Sequence, residues 1–240
     1  MSPITAGFLL IKPSPRPDWG SERLLPQEII SASDCLCPQF PDSYAIKWTS
    51  DSEENRTKGF DSVGLPPEAR TAATEWATEN FQKSFGWTGV FYSLQDAQTA
   101  KSLFFPRESE IWLIGLGLPS EFVPDFLEYA APPPPKEGYA PMGASGWFEV
   151  VKRLEPLPEG QFLGFELLNV EYGNVSHSWL CNHLDVHFSE TLGIQPNRWG
   201  LIEELENARQ CCEEINDEKV GAEPGLWLPW GLVKYSKQEC

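Results

Sequence analysis

The three histidines of this chain, His177, His183 and His187, fall in one short window with Cys181 and Asp185 between them. Imidazole, thiol and carboxylate are the side chains that ligate transition metals and move protons near neutral pH. Any chemistry that needs a histidine must happen here, and the backbone decides which chemistry. As a strand, the period of two aligns His177, Trp179, Cys181, His183, Asp185 and His187 on one face, with Leu180, Leu184, Val186 and Phe188 on the other. Such a surface would suit a metal-assisted hydrolase. As a helix, Leu184, Phe188 and Leu192 align instead, and His183 stacks one turn from His187. Gly193 followed by Ile194 matches a helix stop with a left-handed residue. The spacing therefore predicts a helix from about Cys181 onward.

A histidine pair four residues apart can hold zinc, but the helical zinc motif carries Glu after the first His, where Leu184 stands here. Spacing suggests no third ligand. Cys35 and Cys37 form a C-x-C pair, without a second pair at zinc spacing. Cys181 beside His183 could form a thiolate–imidazole pair, but nothing marks a third group to orient it. Around Ser145, MGASGW departs from the nucleophile elbow, because Gly146 follows the serine directly. Gly115 and Gly117 follow a strand, but Pro119 and Ser120 replace the rest of a dinucleotide fingerprint. Adjacent Cys211 and Cys212 suit the core and flank of a helix. The expectation is no catalytic residue, no metal and no cofactor.

Strands are predicted at Gly7–Lys12, Tyr44–Thr49, Val90–Ser93, Glu110–Leu116, Trp147–Leu154, Gln161–Tyr172 and Trp227–Tyr235. A helix begins at Pro66 and Pro67, carries Ala69, Ala73, Trp76 and Ala77 at helical spacing, and reaches a cap at Gly86. Ser93 and Ser120 cap two further helices. Pro13–Pro41 and Asp51–Asp61 read as irregular chain, apart from a short ordered piece near Glu28–Ser31. The tract Pro132–Pro135, with the glycines after it, reads as a linker. Strands and helices without strict alternation predict an α+β fold, a two-lobed mixed sheet with packed helices. The lobes span 1–131 and 136–240, packed as one unit.

Charge points to the partner class. Thirty-five acidic residues against eighteen basic ones give a formal charge of -17, alongside 10 Trp and 14 Phe. Disordered acidic tails lack such aromatics, so this composition describes a folded core with a negative skin. The acid is even: residues 1–130 hold 18 acidic and 10 basic side chains, and residues 131–240 hold 17 and 8. A negative surface repels phosphates and anionic lipid, and no basic stripe marks a nucleic-acid binder. No apolar run approaches the roughly 20 residues of a membrane span. The start lacks a basic segment before GFLLI, and six cysteines without a framework spacing fit reduced thiols. A cytoplasmic protein is expected, in which sequons at Asn55 and Asn174 carry no weight.

The segment Gly200–Ile215 predicts a two-sided helix. Leu201, Leu205, Ala208, Cys212 and Ile215 form its apolar stripe, and Glu203, Glu206, Glu213 and Glu214 gather opposite, with Arg209 off that face. Most charged helix faces are simply solvated. Here, though, Glu213, Glu214, Asp217 and Glu218 crowd the C-terminal end, where anions cost a few tenths to about 1 kcal/mol each. These six acidic residues are the candidate partner-binding face, with a smaller acidic group at Asp51, Glu53 and Glu54. Trp227 and Trp230 anchor the last strand if buried; exposed, they would suit a structural subunit of a larger assembly.

In GVFYSLQDAQTA (Gly89–Ala100), LGFELLNVEYG (Leu163–Gly173), SWLCN (Ser178–Asn182) and EPGLWLPW (Glu223–Trp230), the chain resembles the immunity proteins that bacteria keep beside polymorphic toxins. The resemblance extends over most of the chain. It implies tight, non-catalytic binding to a basic toxin or nuclease, with the toxin's active site or substrate groove masked.

Overall fold

The computed structural model describes residues 2–41, 53–86, 89–105, 110–134, 137, 145–171, 174–217 and 219–236. The first strand, β1 (Ile4–Ile11), is buried along all but its first residue. A continuous apolar run of this kind needs cover on both faces. Its residues alternate accordingly. Leu9 and Ile11 join one hydrophobic cluster, and Phe8 and Leu10 join the other.

Short strands β2 (Ser14–Pro15) and β3 (Glu28–Ile29) pair as a separate ribbon. The main sheet adds β4 (Gln39–Phe40), β5 (Trp112–Leu118), β6 (Gln161–Glu171), β7 (Asn174–Ser178) and β8 (Leu226–Tyr235). Its order is β4-β1-β5-β8-β6-β7, and every pairing is antiparallel rather than mixed. The last strand lies between β5 and β6, so the spans 1–131 and 136–240 contribute to one sheet. Pro229 sits within β8, where a missing N–H would normally break a central ladder. It falls in the part of β8 paired with β6 alone; pairing to β5 begins at Gly231. Bulges interrupt β1 at Gly7 and β6 at Gly164. Gly7 has φ +144°, and a Cβ there would come within 2.3 Å of Val90 Cγ2, so only glycine fits.

Helices cover both faces, as strands buried on both sides require. One face takes α1 (Glu53–Ser62), α2 (Arg70–Asn80) and α3 (Leu94–Phe104), through Phe60, Ala73, Ala77, Ala97, Ala100 and Phe104. The other takes α4 (Val123–Tyr129), α5 (Gly146–Val151), α6 (Leu184–Thr191) and α7 (Leu205–Asn216). Ser93 caps α3 by accepting from the Asp96 N–H at 3.1 Å. Trp230 meets Phe126 and Trp147 edge-on, at centroid distances of 5.5 and 6.0 Å. Among the described residues, no helix is long and apolar enough to cross a membrane.

Several elements differ from the sequence expectation. Asp51–Asp61 was expected to be loop, but α1 occupies its later part. The helix expected from Pro66 to Gly86 is a 3-10 turn, Pro67–Ala69, followed by α2, which ends at Asn80. Extended Phe81 stops it, and the Gly86 N–H donates to the Val90 carbonyl at 2.9 Å instead of capping. Around Val90–Ser93 only Phe91 bridges to Phe8 and Phe85. The strand expected at Trp147–Leu154 is helix α5, started by Ser145 accepting from the Phe148 N–H at 3.1 Å; Trp147, Val150 and Val151 point inward at helical spacing. The predicted strand Tyr44–Thr49 and most of the glycine-rich end of the linker lie outside the described residues.

Because Leu232 is fully buried at the centre of β8, Leu232→Ala is expected to cost about 2–5 kcal/mol. Leu103→Ala on the exposed side of α3 is expected to change stability by less than about 0.5 kcal/mol. Urea unfolding of both variants measures the difference.

Candidate functional site

Glu166 on β6 is wholly buried, where an ionised carboxylate is costly. It accepts from the Ala32 N–H at 2.7 Å and from the Ser31 hydroxyl. Burial dominates, and lifts its pKa from 4.5 to about 7 against those hydrogen bonds. The donors belong to the chain after β3, which is thereby fastened to the sheet. Further bonds finish a tight turn: Ser33 N–H to Ser31 Oγ at 3.0 Å, Cys37 N–H to the Ser33 carbonyl at 3.1 Å, and Gln39 Nε2 to the Ala32 carbonyl at 2.7 Å. The turn sends Cys37 into the core and leaves Cys35 exposed.

Opposite this turn runs the edge strand β7. Between Val175 and Ser178 it carries one more residue than β6 does between Leu168 and Val170. Asn169 fills the irregularity, accepting from the His177 N–H at 2.8 Å. The chain then leaves the sheet. Ser178 caps a 3-10 turn, Trp179–Asn182, by accepting from the Leu180 N–H at 3.3 Å. Trp179 and Leu180 are buried, and Cys181 is turned toward Ser33, with Ser33 Oγ 4.0 Å from Cys181 Sγ.

Three chain segments thus converge. Cys35 Sγ lies 3.8 Å from His177 Nδ1. With Cys181 Sγ, the three ligand atoms all lie within 4.8 Å of one another, the one such group of His, Cys, Asp or Glu among the described residues. The Cys181 thiol is the strongest influence on Cys35, donating a hydrogen bond that favours the thiolate. With Ser33 and His177 it lowers the Cys35 pKa to about 6, against burial and the nearby Asp34 charge. The Cys181 pKa is raised correspondingly, because it keeps the proton it donates. Burial pushes the Cys37 and Cys211 thiols up to about 12. Cys35 is therefore set apart as the nucleophilic thiol of the described residues.

The histidine window does not assemble as the strand reading required. His177 is in β7, but the strand ends at Ser178. His183 takes a left-handed conformation, φ 56° and ψ 30°, so α6 begins at Leu184 rather than Cys181. The His183 ring packs edge-on against Trp19 at 4.6 Å. His187 Nε2 is 3.7 Å from Glu214 Oε2, too far for a hydrogen bond. Asp185 is buried with Oδ2 unpartnered, and burial raises its pKa. The expected stop is present: Gly193 has φ +70°, and the Ile194 N–H returns to the Phe188 carbonyl at 3.1 Å.

The acidic helix starts later than expected. Leu201 lies in a bend and Ile202 is bonded both ways to Phe165 at 2.7 and 2.8 Å, so α7 begins at Leu205. Its buried side is Ala208, Cys211, Cys212 and Ile215. Arg209, expected off the acidic face, lies within it: it pairs with Glu206 and Glu213, spaced three and four residues away. Glu203 is exposed ahead of the helix, Asp217 pairs with Lys219 at 3.1 Å, and Glu214 is half-buried beside His187. Glu218 and Asp51 lie outside the described residues, and Glu53 and Glu54 open α1.

No family model matches the chain, and no curated protein or solved structure matches it. The site rests on its own geometry.

Two measurements probe that geometry. Iodoacetamide at pH 7 is expected to label Cys35 roughly tenfold faster than an ordinary thiol, and well ahead of Cys37 and Cys211. Its rate should inflect near pH 6, and an inflection above about 8 would contradict a stabilised thiolate. For Glu166, the folded state keeps its proton from pH 4.5 to about 7 while the unfolded chain releases it. Its contribution to stability is therefore full below pH 4.5 and is lost as pH rises through about 7. Glu166→Gln should flatten that slope, by on the order of a few kcal/mol in urea unfolding at pH 5 against pH 8.

Proposed function

We propose that this chain is an acidic, non-catalytic binding protein of the bacterial cytoplasm that neutralises a cationic toxin or nuclease by covering its active site, as immunity proteins do. One observation carries the reading. Among the described acidic side chains only Glu166 and Asp185 are buried, and the others are partly or fully exposed. Such a surface steers a cationic partner toward encounter, with on-rates up to about 10⁸–10⁹ M⁻¹s⁻¹ at low salt. The closed aromatic core beneath it supplies a rigid platform.

The outer side of α7 is the docking face in this reading. Glu206 and Glu213 stand at its surface, with Glu203 exposed just ahead of the helix and Asp217 just after it. Arg209 holds two of these carboxylates in place, which lowers the entropic cost of presenting them. Glu214 contributes less, being half-buried. Trp227 and Trp230 take no part: they are 1% and 0% exposed, so neither offers the contact that a structural subunit would need. A hydrolase built on the whole window from His177 to His187 is likewise unsupported, because the chain turns apart at His183.

The test is co-expression with the protein encoded beside this one. A complex should form, relieve any growth inhibition, and associate more slowly as salt rises. Glu203→Lys, Glu206→Lys and Glu213→Lys combined should slow association about tenfold or more at low salt, with the circular dichroism unchanged. An unchanged on-rate in a folded triple variant would place the docking face elsewhere. Association indifferent to salt would remove the electrostatic reading.

A further inference from the structure

Cys35, His177 and Cys181 do more than bring one reactive thiol to the surface. Two thiols and an imidazole are soft and borderline donors, a set that suits zinc and disfavours calcium or magnesium. Zinc binds sulfur at about 2.3 Å and nitrogen at about 2.0–2.1 Å in a tetrahedron, which places neighbouring ligand atoms roughly 3.5–3.8 Å apart. Cys35 Sγ and His177 Nδ1 stand 3.8 Å apart, and no pair in the trio exceeds 4.8 Å. Closing the remaining gap takes about 1 Å of side-chain motion at most.

The surroundings suit such an ion. Asn169 fixes the His177 backbone, so the imidazole is carried on a braced strand. Ser33 is buried with its hydroxyl 4.0 Å from Cys181 Sγ, placed to donate to a coordinating thiolate. The turn bearing Cys35 is fastened through Ser31 and Ala32 to Glu166. A disulfide between Cys35 and Cys181 would leave the imidazole nitrogen without a role, whereas a metal ion uses all three groups.

We propose that Cys35, His177 and Cys181 bind one zinc ion, leaving the fourth position open to water or an external ligand on the exposed Cys35 side. The ion would clamp the turn after β3 to the edge strand β7. This site is independent of the docking face on α7, and either can fail without the other.

The test uses the reduced, full-length chain, freed of metal and titrated with zinc chloride and separately with cobalt(II) chloride. The wild type should take up one equivalent of zinc and melt at a higher temperature when loaded. Its cobalt adduct should show thiolate-to-metal charge transfer and the visible bands of a tetrahedral ion. Cys35→Ser, Cys181→Ser and His177→Gln should each weaken zinc binding by about tenfold or more. Cys211→Ser, outside the trio, should bind as the wild type does. Circular dichroism of the zinc-free variants separates lost ligation from lost folding. The site is overturned if the reduced wild type takes up neither metal at micromolar concentration, or if its cobalt adduct lacks the charge-transfer band. It is equally overturned if folded Cys35→Ser binds zinc normally, or if a Cys35–Cys181 disulfide forms in zinc-saturated protein left in air.

Discussion

A carboxyl group sealed away from water must find its donors inside the protein, and Glu166 finds them 134 and 135 residues earlier in the chain, at Ala32 and Ser31. That requirement organises the surface above it. Because β6 holds the acceptor, the turn after β3 has one place to sit. Because the turn sits there, Cys35 arrives beside β7. Gln39 and the pairing of β4 with β1 then fix where the turn ends. Above neutrality the buried group offers little stability of its own, because the contribution its raised pKa makes at low pH is lost as pH rises through about 7. What it supplies is register between distant pieces of chain.

The rest of the charge is handled in the opposite way. Where Glu166 is buried and holds its proton up to about pH 7, Glu206 and Glu213 of α7 stand exposed to water. Arg209 partly offsets them from within the same face. Its two ion pairs are solvent-exposed and of small energetic weight. Their effect is to hold Glu206 and Glu213 in one arrangement. The sheet beneath, covered on both faces, carries this outer charge.

The frame of this fold was legible in the sequence. The apolar runs that became β1, β5, β6 and β8 need burial on both sides, and nothing but a covered sheet provides it. Ser93 before α3 and Gly193 after α6 marked their boundaries through local chemistry, which short-range sequence records well. The errors fell where local signals were weak or overruled. WFEVV is rich in residues that suit strands, and only its inward spacing at Trp147, Val150 and Val151 distinguishes the short helix it forms. Leu201 continues the apolar stripe of α7 on paper, but the bridge from Ile202 to Phe165 holds this stretch outside the helix. The chemistry at the candidate site was half legible. His177 and Cys181 stood out by residue type, whereas Cys35 meets them across 142 residues, and no local pattern encodes that meeting. Arg209 was misplaced because its spacing of three and four residues from Glu206 and Glu213 puts it on their side of the helix, between them.

Strand β8 occupies the centre of the sheet but follows both of its neighbours, β5 and β6, in the chain. Until residues 226–235 emerge, β5 and β6 each present an unfilled, apolar border, and the two halves of the sheet have no seam between them. Such borders invite pairing with other chains. Synthesis interrupted shortly before β8 therefore leaves two unpaired strand borders rather than a smaller closed sheet.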